Sequence, residues 1–111
     1  MTTININIDT DISTFTKEQI SLITREQLAN LTTEQLQSIT PAQVPLFSDY
    51  QIRSFSNPQL TSFTNEQMRA LTYEQIISVT EKQKSAFTQQ QMIVIQHTKT
   101  NHFINNQIMK L

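Results

Sequence analysis

Few side chains in this sequence could carry out chemistry, and their spacing argues against catalysis. His97 and His102 stand five residues apart. That spacing does not put two ligands on one helical face, and no Cys or paired carboxylate accompanies them. Glu18, Glu26, Glu34, Glu66 and Glu74 form a column of carboxylates, but acid–base catalysis needs a pocket and shifted pKa values. A column of Ser and Thr hydroxyls has no His or Lys base beside it, which leaves nucleophilic catalysis without support. Tyr50, Tyr73, Arg25, Arg53 and Arg69 are the exposed residues expected to touch a partner, because Tyr and Arg are enriched at interface hot spots. The expectation is a protein with no catalytic residue, cofactor or metal.

These residues belong to an internal repeat, the pattern to look for first. Residues 15–94 form ten consecutive octads without insertion. Position one is apolar throughout: Phe15, Ile23, Leu31, Ile39, Phe47, Phe55, Phe63, Leu71, Val79 and Phe87. Position two is Thr16, Thr24, Thr32, Thr40, Ser48, Ser56, Thr64, Thr72, Thr80 and Thr88. Position five is always Gln: Gln19, Gln27, Gln35, Gln43, Gln51, Gln59, Gln67, Gln75, Gln83 and Gln91. Position six is apolar except for Lys84.

Each octad reads as a helix start. Ser or Thr is a preferred N-cap, whose hydroxyl accepts an orphan N–H of the first turn. Gln three residues later can reach back to the N–H of the cap, completing a capping box. The apolar residues at positions one and six flank the cap as a hydrophobic staple does. Glu at position four sits in the first turn, where the helix dipole favours it.

One continuous helix is excluded, because eight residues at about 100° each drift the apolar stripe by about 80° per octad. The period also misses the values near 3.5 and 3.67 that a coiled coil needs. A β-solenoid is excluded because positions one and six would face opposite sides of a strand. Glu and Gln are also poor strand residues. The remaining architecture is all-α: an α-solenoid, or superhelix, of very short helices, one per octad.

Composition agrees. At 37% hydrophobic residues and no Trp, a single globular core would be lean, whereas a solenoid needs only a thin one. The net charge of −1 gives no footprint for nucleic acid or an anionic membrane. With no Cys there can be no disulfide or thiolate site. With no Gly, Asn and Ser are left to make the bends. No apolar run is long enough to cross a membrane, and residues 1–13 lack the basic and apolar regions of a Sec signal. The expected location is the cytoplasm, or outside it by a route that does not use a Sec signal.

Three regions follow. Residues 1–14 read as a degenerate N-terminal cap in which Ile12 keeps the phase of position six. The alternative there is an edge strand, from the alternation of Ile4, Ile6 and Ile8. Residues 15–94 are the repeats. Octads four to six are expected to deviate, because Pro45 should shorten its helix and position four becomes Ala42, Tyr50 and Pro58. Lys84 should pack its stem and extend its ammonium to water. Residues 95–111 read as degenerate repeats forming a C-terminal cap, with the phase of position one kept at Ile95, Phe103 and Leu111; that phase also admits a longer array.

The consensus [FLI]-T-x-E-Q-[ILM]-x-[SA] resembles the tandem octapeptide repeats L-T-x-x-Q-[IVL]-x-[AS] of large bacterial secreted, surface and effector-like proteins. The likeness covers residues 15–94 and departs at Pro45, Lys84 and both ends. It implies a repeat scaffold of bacterial origin and carries no catalytic residues. The leading expectation is a non-enzymatic scaffold offering an extended surface to a protein partner, with positions three and seven variable. The rivals are a structural spacer or self-assembling module, and ice binding by a Thr ladder. Neither a nucleic-acid nor a membrane partner is expected.

Overall fold

The structure, a computed structural model, describes residues 3–109. Leu111 lies outside them. Among the described residues the fold is all-helical, with no strand. A 3₁₀ turn at Ile12–Thr14 precedes α1 (Lys17–Ser21), α2 (Arg25–Ala29) and α3 (Thr33–Ser38). A second 3₁₀ turn, Val44–Leu46, leads to α4 (Asp49–Ser54), α5 (Asn57–Thr61), α6 (Asn65–Ala70), α7 (Tyr73–Ser78) and α8 (Glu81–Lys84). The last described element is α9 (Gln89–Met109).

The all-α fold of short helices therefore matches the sequence expectation. Helices of four to six residues are too short to persist alone. Their ends are held instead. The Ser or Thr that caps each of α1–α8 has extended backbone, as at Thr32 (φ −76°, ψ 164°), and in every octad the position-two hydroxyl accepts from the N–H of the Gln three residues on.

The bends do not use left-handed Asn or Ser, because no described residue has a positive φ. In α3, α4, α6 and α7 the residue at position one already turns extended, with ψ from 120° to 143°. The cap at position two then continues extended. Two extended residues between helices thus replace the glycine cap, and any L-residue can adopt them.

Packing keeps a fixed offset. α2 lies on α4, α4 on α7, α5 on α8 and α6 on α9, each three octads along the chain. Position six fills the interior: Ile20, Leu28, Leu36, Val44, Ile52, Met68 and Ile76 are at most 1% exposed. Position one lines it with Ile23, Leu31, Ile39, Phe47, Phe55, Phe63, Leu71 and Val79. Phe55 contacts both Phe47 and Phe63, at centroid distances of 6.0 and 5.4 Å.

Three stretches depart from the repeat. In octad four Pro45 has no N–H to donate, and Leu46 and Phe47 donate instead to Gln43 and Val44, three residues back. The deviation stops there: octads five and six keep their helices, and Pro58 falls in the first turn of α5, where no N–H is needed.

Among the described N-terminal residues there is no edge strand. Ile4 and Ile6 pack half-buried on the core, Ile12 is fully buried and Ile8 is exposed. Asp11 caps the first 3₁₀ turn, and its carboxyl is held below the usual range by the hydroxyl and N–H of Ser13.

The described part of the C-terminal stretch, read as degenerate repeats, continues octad ten as one helix. α9 runs unbroken through Ile95, because the residue after it is Gln96 and no hydroxyl competes for the backbone. Lys84 packs part of its stem and sets its ammonium 3.2 Å from Glu81.

Candidate functional site

The column of glutamines has a second role, which the capping box does not require. In all ten octads the Gln oxygen accepts the N–H of the cap, at 2.8–3.0 Å. From Gln43 onward the Nε2 also crosses to an earlier coil. Gln67 donates to the carbonyls of Leu36 (2.7 Å) and Ile39 (2.8 Å), 31 and 28 residues back.

The same two offsets recur for Gln43, Gln51, Gln59, Gln75, Gln83 and Gln91. The receiving groups belong to positions six and one, at the helix end and the extended bend, where intrahelical partners run out. One amide therefore serves a helix start and a helix end in different coils. Its oxygen accepts one hydrogen bond and its nitrogen gives both hydrogens, which is why Gln67 can be 2% exposed.

Glu could replace Gln in the box but has no N–H to donate across the coil. The sequence held this signal: the box admits Glu or Gln, yet position five is Gln ten times.

The ladder frays at the start. Gln35 donates to the carbonyls of Asn7 and Thr10, and Gln27 to that of Ile4. Gln19 is exposed and makes only the box. The N-terminal segment thus caps the array by lending carbonyls. Thr32→Ala is expected to cost about 1 kcal/mol. Gln35→Ala should cost about 2 kcal/mol, since bonds to Asn7 and Thr10 go as well. The double variant should fall short of the sum, measured by urea denaturation. Strict additivity would show that the box does not act as a unit.

Outside this framework stand the residues expected to meet a partner. Arg25, on α2, and Arg53, on α4, are exposed, and neither has a carboxylate within 4.0 Å among the described residues. Both line a groove of about 510 Å³ at the bend between α4 and α5. Tyr50 is 55% exposed on α4, and the groove does not include it.

Arg69 lies 3.9 Å from Glu66 and borders a second groove, against His97 and Ile93 of α9. Tyr73 departs from expectation. It is half-buried, with its ring stacked 3.7 Å from His102 at 5°, so one face belongs to the α7–α9 contact. The array thus separates Arg25 and Arg53 from Arg69 and Tyr73.

Sequence reasoning missed Lys82, which joins Arg25 and Arg53 in the first groove. The signal was its place at position four, where five octads carry Glu.

His102 also bonds Asn106, while His97 faces the α6–α9 groove. No cluster of three His, Cys, Asp or Glu side chains forms among the described residues. No described helix is long and apolar enough to cross a membrane. No family model, curated protein or solved structure matches this chain.

Proposed function

We propose that the protein is a non-enzymatic repeat scaffold that presents an extended surface to a protein partner. One observation supports this above all: positions two, five, six and one supply the caps, the amide ladder and the core, while positions three and seven have little structural duty. Exposed residues there, among them Lys17, Arg25, Thr33, Asp49, Arg53, Thr61, Arg69, Ile77 and Glu81, can vary without disturbing the winding. Repeat proteins commonly bind through such surfaces. The resemblance to bacterial octapeptide repeats points the same way.

The test is capture of partners from bacterial and host-cell lysates, followed by rebinding of position-three and position-seven variants. The reading expects a saturable partner, lost in at least one such variant whose melting temperature is unchanged. Binding that survives every surface substitution would overturn it.

Self-association is the second reading, favoured by α9. Met92, Ile93, Phe103 and Ile104 are exposed on it, and Lys99 is its only Lys, Arg, Asp or Glu. A mass by light scattering that rises with concentration and returns to monomer in Phe103→Asp would favour self-association over a distinct partner. An ice-binding ladder lacks support, because the cap hydroxyls are turned to their own helices.

A further inference from the structure

The groove at the α4–α5 bend collects three cations from three coils. Arg25 comes from α2, which packs on α4; Arg53 stands at the end of α4; Lys82 comes from α8, which packs on α5. No carboxylate lines the groove, in a chain whose net charge is −1. None of the three cations has a hydrogen bond or ion pair among the described residues, whereas Arg69 and Lys84 are each paired with a Glu on their own helix. Like charges repel, and no described carboxylate comes within 4.0 Å of any of the three. Ser56 and Asn57 line the same groove. They supply neutral hydrogen-bonding groups beside the cations.

We propose that this groove docks an acidic segment of a partner protein in the polyproline II conformation, with Arg25, Arg53 and Lys82 each meeting one carboxylate. Packed helices lie about 9 Å apart. A polyproline II segment rises about 3.1 Å per residue with three residues per turn, so every third side chain returns to one face. Successive cations therefore match carboxylates at about every third residue, so three of them span about seven residues. A nucleic acid fits less well. Its phosphates are denser than three separated cations can neutralise, and the negative net charge opposes it. This inference rests on the scaffold reading and names the chemistry of the partner.

The test uses the whole chain and a fluorescent peptide with Glu at its first, fourth and seventh residues and Ser between them. Binding is read by anisotropy at low ionic strength. The same peptide with Gln for Glu, one with three adjacent Glu, and a short oligothymidine serve as comparisons. The spaced acidic peptide should bind best, and added salt should weaken it.

Arg25→Gln, Arg53→Gln and Lys82→Gln should each weaken binding about threefold, and together about 30-fold. Lys17→Gln, outside the groove, should leave it unchanged. All four side chains are exposed, so the melting temperature should not move. Equal binding of the Gln peptide, tighter binding of the oligothymidine, or indifference to the triple substitution would overturn the proposal. If the peptide fails while a captured partner binds through other columns, the groove inference falls and the scaffold stands. If no surface variant affects a captured partner, the scaffold falls with it.

Discussion

Gln67→Glu is expected to destabilise the protein by about 3–5 kcal/mol, while Gln19→Glu changes stability by less than about 0.5 kcal/mol. The two residues share an octad position and both complete a capping box. A carboxylate can keep that box in either place. At Gln67, however, the Nε2 gives its two hydrogens to the carbonyls of Leu36 and Ile39, in a site 2% exposed. The substitution removes both donors and turns a buried negative charge onto two carbonyl oxygens. At Gln19 the side chain is in water, and a negative charge in the first turn of α1 is acceptable to the helix dipole.

The destabilisation at 67 should also depend on pH. Burial and facing carbonyls raise the folded-state pKa of the introduced carboxyl above its unfolded value of about 4.3. Stability is then greatest below the unfolded pKa and falls as pH rises through the folded one. Urea denaturation of both variants at pH 4 and pH 7 reads this directly. A small, pH-independent loss at 67 would mean that the amide does not bridge coils.

Met68→Ala should cost about 2–5 kcal/mol, and Met92→Ala less than about 1 kcal/mol. Both occupy position six, and sequence alone gives no reason to separate them. Met68 is fully buried, with Gln67 beside it bonded across the coil. Met92 is 37% exposed on α9, so truncation there leaves little cavity. Lys84 is tolerated at position six on similar grounds: its side chain is 32% exposed and its ammonium can reach both Glu81 and water. Thermal melts compare the pair. Equal losses would show that Met92 is buried in solution, which would itself point to self-association through α9.

Much of the framework was legible in the residues. The hydroxyl column, the Gln three places on and the two apolar columns predicted short capped helices, and the ten boxes are where those residues stand. Capping is local, acting across three or four residues, so residue type is enough to reveal it. Pro45 likewise shortened its own octad, because a missing N–H acts where it occurs.

Other features depended on chain segments that sequence spacing does not connect. The bends needed no left-handed residue, so the lack of Gly was less informative than it looked. α9 runs on because no cap follows Ile95, and its packing on α6 and α7 then holds Tyr73 against His102. Removing that tyrosine from the exposed set was a consequence of two rings 29 residues apart stacking where α7 meets α9.

The sequence by itself determined where the capping boxes stand, which two columns supply the core and that position five carries an amide. Only the tertiary structure decided what that amide does. The offsets of 31 and 28 residues depend on how many octads complete a coil, which follows from the summed bend angles and not from any single octad. The same winding decided the surface. Arg25, Arg53 and Lys82 are far apart in sequence and share a groove because their helices fall on neighbouring coils, whereas Arg69 and Tyr73 lie elsewhere, against α9.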